Sequence, residues 1–169
     1  VWSGRVGNQW DIFSANADGT NRVNLSNSPA DDEYPEINGV GVYTVVWHAW
    51  LSDTNSEIYS APASRTGPVV RLTNDDRLDW YPQINWGGRV VWMTRVAPGN
   101  WDIHAANADG TDPEILADSP EPEEYPQIDD ENDVVWQGFD GADWEIYSWF
   151  NGVTYQMTDN AVDDRWPAI

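Results

Sequence analysis

A residue pair ending in tryptophan recurs along the chain: Val1-Trp2, Val46-Trp47, Val91-Trp92 and Val135-Trp136, with the tryptophans 45, 45 and 44 residues apart. Two further anchors keep step with it. The first is Trp10-Asp11-Ile12-Phe13, Ser56-Glu57-Ile58-Tyr59, Trp101-Asp102-Ile103-His104 and Trp144-Glu145-Ile146-Tyr147. The second is Tyr34-Pro35-Glu36-Ile37, Tyr81-Pro82-Gln83-Ile84, Tyr125-Pro126-Gln127-Ile128 and Trp166-Pro167-Ala168-Ile169. Three anchors in one order, four times over, define an internal repeat, and a repeat restricts the fold more than any local propensity does.

Each unit reads as roughly four short strands. Val45-Val46-Trp47 has the β-branched and aromatic residues that pack well on a pleated surface. The Trp-Asp-Ile-Phe anchor is a second strand, and Val23-Asn24-Leu25, Val70-Arg71-Leu72 and Tyr155-Gln156-Met157 mark a third. Asp18-Gly19 and Asp109-Gly110 predict two-residue hairpin turns, because glycine accepts the positive φ that such turns need. Proline near the start of the last strand is tolerated, since that position need not donate to the ladder. No segment sustains a 3.6-residue apolar period, so no helix is expected. Four-stranded repeats of about 40–45 residues match the blades of a β-propeller. Unbroken apolar runs such as Val90-Val91-Trp92-Met93 fit sheets covered on both faces. The expectation is an all-β chain, one propeller domain over residues 1–169, with repeats at about 1–44, 45–89, 90–133 and 134–169.

The phase of the repeat carries a further expectation. The sequence opens on a Val-Trp strand and reaches Pro167-Ala168-Ile169 where another is due. Three arrangements let first and last segments share a blade: one chain closed as a four-bladed ring, two chains head to tail as an eight-bladed ring, or an open end-to-end assembly.

Val-Val-Trp, Trp-Asp-Ile-Tyr, Ala-Asp-Gly-Thr, Leu-Thr and Asp-x-x-Tyr-Pro-x-Ile, in that order, resemble the TolB-like propeller repeat, also called the WD40-like or PD40 repeat. The resemblance covers essentially the whole chain. It implies a β-propeller and a secreted, cell-surface or periplasmic protein. The family's Ser-Pro-Asp-Gly turn is replaced here by Asn38-Gly39-Val40-Gly41, Asn85-Trp86-Gly87-Gly88 and Asp129-Asp130-Glu131-Asn132.

Composition narrows the partners. Aspartate and glutamate number 29, and all eight cationic side chains are arginine, for a net charge of −21. Nucleic acid needs cations on the protein, so it is excluded as a partner. An anionic membrane surface is disfavoured for the same reason, and no apolar run is long enough for membrane insertion. Cations and basic proteins are the natural ligands of such a field. With no cysteine there is no disulfide, thiol nucleophile or zinc thiolate. His-Glu-x-x-His, a phosphate-binding glycine loop and a Gly-x-Ser-x-Gly elbow are all absent.

Two rows of acids repeat with the blades. Asp32, Asp79, Glu123 and Asp164 lie three residues before each proline. Two readings fit them: hard oxygen ligands for Ca²⁺, or caps that accept backbone N–H groups of their own turns. Asp11, Glu57, Asp102 and Glu145 lie inside strands, where a carboxylate is expected to be buried and paired within its blade. Among the tryptophans, Trp2, Trp47, Trp92 and Trp136 are expected in the core, and Trp10, Trp101 and Trp144 also recur. Trp50, Trp80, Trp86 and Trp149 break the pattern. Trp80 and Trp86 are the candidate partner-binding residues: they either stack on a sugar or anchor a protein, or fill space between blades. His104 takes the strand slot of Phe13, Tyr59 and Tyr147 and is expected to pack there.

Acids that recur with the fold speak for structure over an asymmetric catalytic pair. The sequence therefore points to a non-catalytic secreted or cell-surface binding and assembly module, not an enzyme, whose partner is a protein, another copy of itself or a glycan. The alternatives are a polysaccharide hydrolase or lyase using two carboxyls, or a calcium-dependent lectin. Ca²⁺ is the one cofactor these residues suggest.

Overall fold

The anchors become strands that pair into four antiparallel sheets. The computed structural model describes residues 1–39 and 42–169, so Val40 and Gly41 of the Asn38–Gly41 stretch lie outside the described residues. The first sheet holds β1 (Trp2–Val6), β2 (Gln9–Ser14) and β3 (Val23–Asn24). The second runs β4 (Asp31–Ile37), β5 (Thr44–Ser52), β6 (Asn55–Pro62) and β7 (Val70–Arg71). The third runs β8 (Asp79–Ile84), β9 (Arg89–Ala97), β10 (Asn100–Asn107) and β11 (Glu114–Ala117). The fourth runs β12 (Glu123–Ile128), β13 (Val134–Phe139), β14 (Trp144–Phe150) and β15 (Val153–Gln156). As expected, no helix occurs among the described residues.

The Tyr-Pro strands β4, β8 and β12 pack beside one another and form the inner edge of the arrangement. Each is the first strand of its sheet and pairs with the Val-Trp strand that follows it. The ladder skips the Tyr-Pro dipeptide in all three, between Glu33 and Glu36, Trp80 and Gln83, and Glu124 and Gln127. Proline has no N–H to donate, so a bulge there loses little. The preceding tyrosines take positive φ, at 51°, 53° and 56°.

The apolar core lies between sheets. Ile12 and Leu25 of the first sheet pack on Val45, Trp47 and Ala49 of the second. Val46 and Ile58 of the second pack on Val90 and Trp92 of the third. Val91, Met93 and Ile103 of the third pack on Val134 and Trp136 of the fourth. Successive residues of a strand point to opposite faces, so Val45 and Val46 serve different interfaces. That is why the apolar run does not alternate.

Three expectations need correction. Trp2 is 36% exposed and is not core, because β1 belongs to the end sheet and has no preceding sheet to cover it. The Asp-Gly pairs do not make two-residue hairpins. Each sits in a tight turn inside a longer loop, with Gly19 N–H donating to Asn16 O and Gly110 N–H to Asn107 O. And the chain does not close on itself as a four-bladed ring. β1 pairs only with β2. Residues 164–169 form no strand and dock on the fourth sheet instead, through Asp164 N–H to Trp144 O at 2.7 Å and Trp166 N–H to Gln137 Oε1 at 3.3 Å. No hydrogen bond joins residues 1–14 to 157–169 among the described residues. The sheets form an open arc.

Candidate functional site

The acids before the prolines sit where each inner strand enters its sheet. Asp32, Asp79 and Glu123 are buried, and Asp164 is half-buried. Each is engaged by its own blade. Asp32 accepts from Trp47 Nε1 at 3.1 Å and from Ser28 Oγ at 2.7 Å. Asp79 accepts from Thr94 Oγ1 at 2.6 Å, and that hydroxyl accepts from Trp92 Nε1 at 3.0 Å. Glu123 accepts Ser119 N–H at 3.2 Å, and Asp164 accepts from Asn160 Nδ2 at 2.6 Å. Asp32 and Asp79 tie the entering loop to the second strand, while Glu123 and Asp164 brace the loop itself, the local role that turn caps play. Among the described residues, the three carboxylates near enough to share one metal ion are Asp140, Glu145 and Asp159, none of them from this row.

The second row is buried throughout. Asp11 accepts from Asn24 Nδ2 at 2.6 Å, and Glu57 meets Arg71 at 2.7 Å. Glu145 accepts Asn160 N–H at 2.8 Å. A buried carboxylate needs such partners, and Asp102 departs from the expected pairing, its Oδ1 being shut off from solvent with no hydrogen-bond partner.

The off-pattern tryptophans assemble an aromatic face. Trp80 stacks on Trp101 at 5.2 Å between ring centroids, and Trp50 meets Trp80 edge-on at 5.3 Å. His48 lies against Tyr34, Trp50 and Trp80. Trp50 Nε1 donates to Glu33 at 3.3 Å, while the buried Trp80 Nε1 has no partner. Beside them runs a shallow groove of about 550 Å³ lined by Trp10, Asp31, Glu33, Trp50, Leu51 and Asp53. Trp86 is elsewhere. Whereas Trp80 is the second residue of β8, Trp86 lies two residues beyond the end of that strand. It is 59% exposed, and a Cβ on Gly39 would come within 2.8 Å of its Nε1, so it leans on the turn of the neighbouring blade. The two candidate partner-binding residues therefore belong to opposite ends of one strand.

Reasoning from sequence passed over the tyrosines of the Tyr-Pro anchor as functional groups. Tyr34, Tyr81, Tyr125 and Trp166 form a ladder with successive centroids 5.2, 5.1 and 4.6 Å apart. The signal was present: an aromatic recurs at a position where the ladder is interrupted, so pairing does not require it. Trp166 shares the positive φ of the tyrosines, at 61°.

No family model matches the chain, and no curated protein matches its sequence. Its fold does match solved structures. A putative TolB from Agrobacterium tumefaciens is 16% identical with a TM-score of 0.66, over 92% of this chain and 59% of that one. TolB from Acinetobacter baumannii is 15% identical with a TM-score of 0.63, over 96% of this chain and 41% of that one. The β-propeller domain of the Trilobed protease from Pyrococcus furiosus, described as having an open velcro topology, is 16% identical with a TM-score of 0.64, over 93% of this chain and 50% of that one. The chain thus spans about half the length of these structures. The likeness establishes a TolB-like β-propeller fold.

Burial shifts several of the site's titrations. It pushes Asp79 from an ordinary 3.8 up to about 6 and Glu123 from 4.5 up to about 7, and pulls His48 from 6.5 down to about 4. The folded state therefore holds the carboxyl protons more tightly than the unfolded state does, and stability falls as pH rises between the ordinary and shifted values. His48 works the other way. The unfolded chain binds its proton first, so stability rises with pH between about 4 and 6.5. Comparing wild type with Glu123→Gln separates the two. In urea unfolding, wild type should lose stability relative to Glu123→Gln as pH is raised from about 4.5 to 8. A difference constant across that range would show that Glu123 titrates normally.

Proposed function

We propose that this chain, an arc with the TolB-like propeller fold, is a non-catalytic protein-binding module, secreted, periplasmic or on the cell surface, that holds a basic segment of its partner on the Trp50–Trp80–Trp101 face. The observation that carries the reading is that Trp50 lines one groove with Asp31, Glu33 and Asp53 and continues out of it, edge-on, into the stacked Trp80–Trp101 pair. Aromatic anchors supply contact area at little entropic cost, and carboxylates around them select lysine and arginine. A net charge of −21 adds steering toward cationic partners. Both acid rows serve as structural braces, which favours binding over hydrolysis.

Arrays of lysine- and arginine-rich peptides with interspersed aromatics, run beside arrays of neutral oligosaccharides, test this. Peptide binding should weaken with added salt, and Trp80→Ala should lose about tenfold in affinity, near 1.4 kcal/mol. Salt-insensitive binding confined to the oligosaccharides would make the face a sugar site, and peptide binding unchanged in Trp80→Ala would remove the face from the account.

Self-association is a second reading, and a specific pair of edges favours it. The first sheet has β1 where its fellows have an inner strand to pair with. Trp166 meanwhile carries the inner-strand conformation and extends the aromatic ladder beyond the fourth sheet. An edge of each kind on every copy makes a heterologous, head-to-tail contact. Light scattering over a range of concentrations should then give a mass rising above the 19.1 kDa of one chain. A mass fixed at that value would exclude it.

A further inference from the structure

The second and fourth sheets share a frame, and comparing them isolates one place where their charges differ. In each, a glutamate of the third strand is completely buried, Glu57 and Glu145. In each it accepts a backbone N–H from the loop after the last strand: Asp75 N–H to Glu57 at 3.0 Å, and Asn160 N–H to Glu145 at 2.8 Å. In each, a threonine hydroxyl two residues earlier accepts the next isoleucine N–H, Thr73 from Ile58 and Thr158 from Ile146, both at 2.9 Å. Position by position, Gln156 therefore stands where Arg71 does, opposite the equivalent tyrosine. Asp159 stands for Asn74, Asp143 for Asn55 and Asp140 for Ser52. Three exchanges run the other way, with Gly141 in place of Asp53, Asn160 in place of Asp75 and Ala161 in place of Asp76.

The consequence is electrostatic. In the second sheet the buried glutamate is neutralised by Arg71 at 2.7 Å. In the fourth sheet that arginine is gone and three aspartates have arrived. Glu145 Oε2 and both carboxylate oxygens of Asp143 are shut off from solvent with no hydrogen-bond partner. Asp140 uses Oδ1 to accept the N–H groups of Ala142 and Asp143, at 2.8 and 3.1 Å. The nearby Arg165 is held by Asp163 at 3.1 Å. A buried carboxylate without a cation is costly, and here the exposed Asp140 and Asp159 crowd the buried Glu145: each of the three brings an oxygen within 4.8 Å of the others. Oxygens around a Ca²⁺ ion at 2.3–2.6 Å are separated by at most about 5 Å.

We propose that Asp140, Glu145 and Asp159 form a Ca²⁺ site in the fourth sheet, with the charge of Asp143 beside it, in which the ion replaces the arginine of the second. Glu145 anchors the ion from inside the sheet. The β13–β14 turn supplies Asp140, and the loop after β15 supplies Asp159. Asp140 and Asp159 are exposed, which gives the ion a route in and leaves positions for water. Ca²⁺ suits this carboxylate-rich, partly flexible set better than Mg²⁺, which demands near-octahedral geometry and gives up its waters reluctantly.

Calorimetric titration of the 169-residue chain, stripped with chelator, tests the site. CaCl₂ should bind at one site with Kd in the range of about 10⁻⁵–10⁻³ M and raise the melting temperature, with MgCl₂ weaker. The double variant Asp143→Asn/Asp159→Asn, which restores the residues of the second sheet, should lose at least about tenfold in Ca²⁺ affinity. Its metal-free melting temperature should be no lower than that of wild type, since it relieves repulsion. Gln156→Arg offers an independent arm: it supplies the missing cation and should abolish Ca²⁺ binding in a folded chain. Absence of binding by wild type in millimolar CaCl₂ would overturn the proposal. So would affinity unchanged in both variants, which would place the ion at other carboxylates.

Discussion

Val45 and Val46 are adjacent, point to opposite faces of β5 and are both completely buried. That is possible only because a sheet lies on either side. Every apolar cluster in the chain spans two neighbouring sheets, so stability accrues between blades rather than within them, as in other arrays of stacked repeats. Internal blades are doubly supported and end blades singly. Trp2 is accordingly exposed on the first sheet, while its counterparts Trp47 and Trp92 on the internal sheets are covered.

Because the core is used up between faces, the polar groups that organise each blade lie along its inner edge and turns. Asp32 and Asp79 bind the entering loop to the Val-Trp strand. The proline bulge turns the aromatic before it into a stacked ladder. Where an inner strand starts, off-pattern tryptophans gather beside exposed carboxylates. The same frame tolerates different electrostatics from blade to blade: Glu57 has an arginine, Asp11 an asparagine, and Glu145 a set of aspartates. Function in a repeat fold of this kind is written in such departures.

Much of the fold was legible in the sequence, since a recurring Val-Trp, Asp-Ile and Tyr-Pro pattern reports strand content and nearest neighbours. Closure was not, because the period says which sheets touch and not the angle between them. The Asp-Gly turns misled because a tight turn inside a longer loop carries the same dipeptide as a two-residue hairpin. Of the site, Trp80 stood out in the sequence as off the repeat pattern, whereas its packing against Trp50 and Trp101 is a tertiary fact that spacing does not show. Trp86 looked equivalent and stands at the far end of its strand. The row Asp32, Asp79, Glu123 and Asp164 drew attention by recurring, whereas the carboxylates that converge on the recurring Glu145 are ones that do not recur. Asp140, Asp143 and Asp159 become visible only when each blade is compared with its equivalents.

Hydrogen–deuterium exchange along the backbone measures most directly whether support comes from neighbouring sheets in an open arc. Strands flanked on both faces, β5, β6, β9 and β10, should exchange slowest. β1, β15 and residues 164–169 should exchange fastest. Protection of β1 and residues 164–169 equal to that of β9 at concentrations where the chain is a single molecule would mean that the ends meet, and would contradict the open arc.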